Sequence, residues 1–224
     1  MSELQVAVVL YDRMTALDVA GPIDVLRFLP GARLELVAEA PGPVRTDGGV
    51  LDLVATAAYD DSTDPDVVVV PGGPGTAEAL GSPLVPWLQR VHPTTTWTTS
   101  VCSGSLLLAH AGLLQGAPAA SHFGVLDLLP RLGAARSDER VVVDEEHHVM
   151  TAAGVSSGID MALVLAERLS DTTTAQAIQL VIEYDPQPPH DTGALDKASP
   201  DVVRRAVELG RPQGAVPEFW EPPV

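Results

Sequence analysis

The amino-acid sequence predicts an α/β fold with a largely parallel sheet that is covered by helices. Short β-branched apolar runs alternate along the chain with segments of helical pattern. One of these runs, Val67–Val70, consists of four valines between an aspartate and a proline. Such a run is typical of a central parallel strand that is buried on both faces. The 224 residues are enough for one domain of this kind.

The first half of the chain contains four predicted strands and three predicted helices. Pro22 suits the first turn of the first helix, where its missing N–H would have no intrahelical partner. Gly112 suits the end of the third helix, because glycine readily ends helices. The predicted strands are Val6–Leu10, Leu34–Ala38, Val67–Val70 and Thr96–Val101, and the predicted helices are Ala20–Leu29, Leu84–His92 and Ser103–Gly112.

The second half begins with a predicted hairpin and continues with two helices. Val141–Val143 and Val149–Ala152 would pair across the polar segment 144–148. That segment contains acidic residues and two histidines, but neighbouring side chains on a hairpin point to opposite faces. We therefore interpret it as a solvated turn and predict no metal site. The helices would be Gly158–Leu169 and Thr172–Tyr184.

The composition changes near Asp185, because 8 of the 20 prolines lie in residues 185–224. We predict an α/β domain over residues 1–189. Residues 190–224 would form a Pro-rich arm that packs on the domain or on a partner subunit. One last helix is expected within the arm, at Pro200–Gly210.

The net charge argues against two classes of binding partner, nucleic acids and anionic membranes. The chain carries 13 Lys and Arg against 30 Asp and Glu, a formal charge of −17. Binding to nucleic acid requires a basic surface, and anionic membranes would repel this chain. No apolar run is long enough to span a bilayer, and the first residues lack the basic region of a signal peptide. We therefore expect a cytoplasmic protein that binds neither nucleic acid nor membrane.

The single cysteine, Cys102, lies where a predicted strand meets a predicted helix. Ser100 stands two residues before it and Gly104 two residues after it, which is the spacing of a nucleophile elbow. Because a helix N-terminus favours anions, we expect a partly accessible thiol of lowered pKa. The Ser103 N–H would form half of an oxyanion hole. A buried, inert cysteine is the alternative.

Two further loops end at the same predicted edge of the sheet. Segment 71–75, Pro-Gly-Gly-Pro-Gly, directly follows the valine strand, and the Gly73 N–H could be the second oxyanion donor. A tight turn explains these glycines equally well. Asp18 follows the first strand, where a helix N-cap is the ordinary role of such an aspartate. His122 could pair with Cys102 or contribute to substrate binding, or it could simply begin a helix.

Taken together, five short motifs resemble the ThiJ/PfpI superfamily, and within it the isonitrile (isocyanide) hydratases. The resemblance runs from Val6 to Pro189. It implies a flavodoxin-like three-layer sandwich, a homodimer, and a cysteine nucleophile beside an acidic residue. The motifs are Asp18-x-x-Gly21-Pro22, segment 70–75, Ser100-x-Cys102-x-Gly104, segment 153–160 and segment 183–186.

The resemblance also implies a reaction, the hydration of a neutral isonitrile to an N-substituted formamide. Cys102 would attack the terminal carbon to form a thioimidate. Asp18, the position matching the family's acid, would first donate a proton and then activate water. Ser103 would orient the water or the thiol, in place of the threonine that is usual there. No metal or organic cofactor is required.

Other activities share this elbow. A glyoxalase- or deglycase-like enzyme would use the same cysteine on small carbonyls, and a redox sensor would use the oxidation of Cys102 as its signal. The superfamily's peptidases place a histidine directly after the cysteine, where this chain has Ser103. Its AraC-type regulators carry an additional DNA-binding segment, which we do not expect in an acidic chain that ends at Val224.

Overall fold

The structure is a computed structural model, and it describes residues 3–210. The strands are β1 (Leu4–Val9), β2 (Ala32–Ala38), β3 (Gly42–Arg45), β4 (Asp52–Ala55), β5 (Ala57–Ala58), β6 (Val67–Val70), β7 (Trp97–Val101), β8 (Pro118–Ala119), β9 (Ala135–Arg136), β10 (Val141–Asp144) and β11 (Val149–Ala152). The α-helices are α1 (Ala16–Leu26), α2 (Thr76–Ala79), α3 (Leu84–Val91), α4 (Gly104–His110), α5 (Ser157–Leu169), α6 (Thr172–Val181) and α7 (Pro200–Gly210).

The main sheet confirms the predicted α/β class. Its strand order is β10-β11-β7-β6-β1-β2-β5. Every neighbouring pair is parallel except the hairpin of β10 and β11 at one edge, which is antiparallel as predicted. The valine strand β6 lies between β1 and β7, and all four valines are buried. The topology therefore brings the carboxyl ends of β1, β6, β7 and β11 to one edge of the sheet.

Helices cover the sheet on both sides. Helix α1 packs against α5, and α5 against α6, whereas α4 packs against α2 and α3. The core between these layers is built mainly from aliphatic side chains and alanines, with only a few aromatic rings among the described residues. This composition agrees with an aromatic content of only 4%.

One element differs from its prediction in a way that affects the site. Helix α1 begins at Ala16, four residues before the predicted start. Asp18 is therefore not a cap in front of the helix but a residue of its first turn. Pro22 lies inside the helix, where its missing N–H leaves the carbonyl of Asp18 without the usual intrahelical donor. Sequence analysis also did not identify the small hairpin formed by β3 and β4.

The C-terminal helix is found at its predicted bounds. Helix α7 covers Pro200–Gly210, and a short 3-10 helix at Leu195–Lys197 precedes it. Val207 is the buried residue of α7. The predicted arm over 190–224 also includes residues 211–224, which lie outside the described residues. Its packing on a partner subunit stays a prediction.

Candidate active site

Cys102 occupies a sharp turn between β7 and α4. Its φ angle is +59°, in the left-handed region that non-glycine residues rarely adopt. The Cys102 N–H donates to the carbonyl of Ala153 at 2.9 Å, which ties the turn to the loop after β11. Strained backbone of this kind is found at functional sites. The predicted nucleophile elbow is thus present, with the cysteine at its apex.

Two glycines allow the elbow to pack against the loop after β6. A Cβ atom on Gly104 would lie 2.8 Å from the carbonyl oxygen of Pro71 and still closer to that of Val70. A Cβ atom on Gly72 would lie 2.9 Å from the Cβ of Cys102 and would collide with the backbone nitrogen of Ser103. Glycine is required at both positions because backbone approaches backbone.

Asp18 is fully buried beside this turn. Its Oδ2 accepts the Gly72 N–H at 2.9 Å, while its buried Oδ1 has no hydrogen-bond partner among the described residues. Burial raises the pKa of Asp18 to about 7, and the negative charge of Asp47 adds to this effect. The Gly72 N–H and the nearby Cys102 thiol oppose the rise in pKa without cancelling it. At neutral pH the carboxyl is therefore poised both to give and to take a proton.

The thiol of Cys102 does not have the lowered pKa that the sequence predicted. Its residue is only 6% exposed. Burial raises the pKa of the thiol, and the charge of Asp18 raises it further. Backbone N–H groups of Val155 and Ser103 and the Ser103 hydroxyl favour the thiolate, but they do not offset burial. The expectation of an accessible, acidic thiol is wrong because it counted the helix N-terminus and not the loss of solvent.

Ser103 lies beside Cys102 but faces the Gly-rich loop as well. The Gly73 N–H, expected to be an oxyanion donor, donates to Ser103 Oγ at 2.9 Å. Ser103 Oγ also lies 2.8 Å from Thr76 Oγ1, and Thr76 Oγ1 lies 3.1 Å from the hydroxyl of Tyr11. The Gly73 N–H is thus engaged with a protein group, whereas those of Ser103 and Val155 point to the sulfur.

His122 lies at the margin of this arrangement. Its Nδ1 accepts the Gly124 N–H at 3.1 Å, and a Cβ atom on Gly154 would lie 2.8 Å from its ring. Burial lowers the pKa of His122, so the ring is neutral at pH 7. The preceding residue, Ser121, donates to the carbonyl of Cys102 at 3.0 Å. His122 therefore lies against the loop after β11, and its role stays a prediction.

Sequence analysis missed three groups that the fold brings to the site. Tyr11 lies two residues after the end of β1, and Thr76 follows the Gly-rich loop, so both lie at the same sheet edge as Cys102. Their positions after strands were the available signal. Val155 contributes only a backbone N–H. Side-chain chemistry gives no sign of such a donor, although its segment was among the motifs of the resemblance.

Among the described residues, neither a metal-binding cluster of side chains nor a membrane-spanning helix is present. Within residues 3–210, no group of three or more His, Cys, Asp or Glu side chains could hold a metal ion. Across the same part of the chain, no helix is long and apolar enough to cross a membrane. The groups that the structure places at the elbow are a thiol, a carboxyl and hydroxyls.

Comparisons with known proteins agree with this architecture. The chain is 40% identical to the isonitrile hydratase of Pseudomonas putida over 210 residues, which cover 93% of this chain and 91% of that protein. A crystal structure of a ThiJ/PfpI family protein from Pseudomonas syringae superposes with a TM-score of 0.88 at 37% identity, over 93% of this chain and 86% of the other. Schizosaccharomyces pombe DJ-1 shares the fold, with a TM-score of 0.69 at 17% identity, over 82% of this chain and all of that one.

The match to a protein family covers most of the chain. Residues 4–168 match the sequence profile of the DJ-1/PfpI family. This segment contains β1, β6, β7 and β11, the strands whose ends carry the elbow and its partners. The chain belongs to the DJ-1/PfpI family.

Proposed function

We propose that this protein is an isonitrile hydratase, which converts R–N≡C and water into the formamide R–NH–CHO. The observation that carries the proposal is the pairing of Cys102 with Asp18, a buried carboxyl whose pKa is raised to about 7. The reaction requires one group that donates and accepts protons in turn beside a nucleophile. Identity of 40% over nearly the whole length of the Pseudomonas putida isonitrile hydratase supports the same activity.

The first step is the addition of the thiol to the terminal carbon of the isonitrile. Asp18 as a carboxylate takes the proton from the Cys102 sulfur as the S–C bond forms. The resulting carboxylic acid delivers that proton to the same carbon, which gives the thioimidate R–N=CH–S. The proton thus moves from sulfur to carbon through Asp18. The raised pKa of the thiol suits this route, because the thiolate needs to exist only during the attack.

The second step is hydrolysis of the thioimidate. Asp18, again a carboxylate, takes a proton from water as the oxygen attacks the thioimidate carbon, and it passes that proton to the nitrogen of the adduct. Collapse of the adduct breaks the C–S bond and releases the formamide. The hydroxyl proton of the adduct returns to the sulfur, which restores the thiol. Ser103 would orient the sulfur or the water through its hydroxyl.

The substrate class is expected to be neutral isonitriles with bulky apolar groups, such as cyclohexyl isocyanide. Purified enzyme is mixed with this isonitrile, and the formamide is followed over time. We expect turnover in the wild type, none in Cys102→Ala, and a fall in kcat of about 100-fold or more in Asp18→Asn. Asp24→Asn is the matched control, because Asp24 lies on the same helix and is exposed, and it should keep wild-type activity.

Two results would overturn the proposal. Full activity of Asp18→Asn would remove the carboxyl from the mechanism. Cys102-dependent turnover of methylglyoxal, without any Cys102-dependent formamide, would assign the protein to the carbonyl enzymes instead.

Assembly and location form part of the same proposal. A homodimer in the cytoplasm is expected from the family resemblance. The excess of negative charge supports the absence of a nucleic-acid partner. Sedimentation of the full chain would test the dimer.

A further inference from the structure

Three buried hydroxyl groups form a chain that ends beside the nucleophile. Tyr11, Thr76 and Ser103 are each less than 10% exposed. The hydroxyl oxygens of Tyr11 and Thr76 lie 3.1 Å apart, and those of Thr76 and Ser103 lie 2.8 Å apart. The Ser103 hydroxyl also favours the thiolate of Cys102 as a hydrogen-bond donor, which lowers the pKa of the thiol without offsetting burial. The chain therefore links the Gly-rich loop to the reacting atom.

Donors and acceptors can be counted along this chain. A hydroxyl has one proton to donate and two lone pairs to accept with. One lone pair of Ser103 Oγ accepts the Gly73 N–H at 2.9 Å. Its single proton can then go to Thr76 Oγ1, to the Cys102 sulfur or, in a long contact of 3.4 Å, to the carbonyl of Gly73. The neighbouring proton of Thr76 has a good acceptor in the carbonyl of Gly73, at 2.8 Å.

While the Cys102 thiol is neutral, the Ser103 proton is expected to go to Thr76 Oγ1 rather than to the sulfur. When Ser103 donates to Thr76 and Thr76 donates to Gly73 O, each of these two protons reaches an oxygen acceptor. Tyr11 can then donate to the carbonyl of Pro71 at 2.8 Å. A protonated sulfur is a weak acceptor and competes poorly with these oxygens. A thiolate is a much stronger acceptor, because hydrogen bonds to charged groups are the strong ones.

We propose that Thr76 is a positioning residue that holds the Ser103 proton away from Cys102 in the resting enzyme and releases it to the sulfur when the thiolate forms. No O–H bond breaks in this exchange, and only hydroxyl groups rotate. Thr76 thereby opposes ionisation of the thiol between turnovers. The inference rests on the proposed function, in which the Cys102 thiolate is the nucleophile.

The proposal predicts opposite effects for two neighbouring substitutions. Thr76→Val removes the nearest competing acceptor and leaves the 3.4 Å contact to the Gly73 carbonyl as the weaker competitor, so Ser103 should donate to the sulfur and the thiolate fraction should rise. Ser103→Ala removes the donor itself, so the thiolate fraction should fall. If Thr76 merely held Ser103 in place, both substitutions would lower the thiolate fraction. The sign of the effect of Thr76→Val thus separates the two roles.

The experiment measures the rate of Cys102 alkylation by iodoacetamide at fixed pH below the thiol pKa, where the rate follows the thiolate fraction. The chain has one cysteine, so intact mass reports this site alone. We expect about a fivefold faster rate in Thr76→Val, the equivalent of one net neutral hydrogen bond. We expect about a tenfold slower rate in Ser103→Ala. Thr76→Ser should react like the wild type.

Thr99→Val is the matched control, because Thr99 is also buried and, within residues 3–210, its hydroxyl bonds only the carbonyl of Val68, at 3.0 Å. This variant should alkylate at the wild-type rate. An unchanged or slower rate in folded Thr76→Val would overturn the proposal, and so would a faster rate in Thr76→Ser. Alkylation needs no isonitrile, so the result stands whether or not the hydratase assay succeeds.

Discussion

A buried carboxyl with a raised pKa costs stability, and Asp18 provides a direct measure of that cost. In the folded protein its pKa is about 7, whereas in the unfolded chain it returns to its ordinary value of 3.8. As pH rises from about 4 to about 7, the unfolded chain loses this proton and the folded protein retains it. This difference progressively favours the unfolded state, so the destabilisation caused by Asp18 is absent below about pH 4 and grows as the pH rises to about 7.

Asp18→Asn should remove this pH dependence. An amide does not titrate, and its oxygen can still accept the Gly72 N–H. The free energy of unfolding of the variant minus that of the wild type should increase by about 4 kcal/mol between pH 4 and pH 7.5, and it should change little below pH 4. Urea denaturation at a series of pH values measures this difference.

The exposed aspartate of the same helix, Asp24, serves as the control. Asp24→Asn should give a stability curve parallel to that of the wild type over the same range. Parallel curves for Asp18→Asn as well would mean that Asp18 ionises at its ordinary pKa, and they would remove the basis for its double role.

The residues of the site were predictable only where a side chain or a spacing carries the signal. The spacing around Cys102 and the position of Asp18 after a strand are visible in the sequence. The thiol pKa was not predictable, because it depends on how deeply the turn is buried by loops from elsewhere in the chain. The engagement of the Gly73 N–H with Ser103 was equally hidden, since it joins loops that lie 30 residues apart.

At the scale of elements, the contact between α1 and α5 positions the site. Asp18 lies in the first turn of α1, and α5 follows the loop that carries Val155. The two helices approach closely at Gly21, where a Cβ atom would lie 2.9 Å from Cγ1 of Ile159. A side chain at this position would push the helices apart and would move Asp18 relative to Cys102.

Gly21→Val should therefore reduce both stability and activity. Overpacking of this kind typically costs about 1–3 kcal/mol. The free energy of unfolding from urea denaturation should fall by about 2 kcal/mol, and kcat should fall with it. Adding Ile159→Ala returns space at the contact, so the double variant should recover part of both losses. If the effects of the two substitutions were strictly additive, the contact between Gly21 and Ile159 would not determine the spacing of α1 and α5.

Element types were more predictable than element bounds. The four valines of β6 and the antiparallel hairpin of β10 and β11 are found where the sequence placed them, because apolar runs and polar turns are local signals. The start of α1 was predicted four residues too late. Pro22 suggested the first turn of a helix, but in the folded protein the helix begins at Ala16 and Pro22 lies inside it. The β3 and β4 hairpin was missed because exposed residues such as Val50, Leu51 and Val54 give it no clear buried face.

At the scale of the whole molecule, the excess of negative charge acts on any charged substrate. The formal charge is −17. In residues 3–210 most arginine and lysine side chains are already paired with carboxylates. The remaining carboxylates give the surface a field that repels anions over distances set by the ionic strength. A neutral isonitrile does not experience this repulsion.

A carboxylate-bearing isonitrile and its methyl ester should therefore differ in their response to salt. Isocyanoacetate and methyl isocyanoacetate are nearly the same size, but only the former is an anion. Raising the ionic strength from about 0.01 M to about 0.15 M shortens the screening length from about 30 Å to about 8 Å. We expect kcat/KM for the anion to be lower than for the ester at low salt and to rise several-fold over this range, while that for the ester stays constant. An equal response of the two substrates would mean that only local contacts, and not the charge of the whole molecule, select the neutral isonitrile.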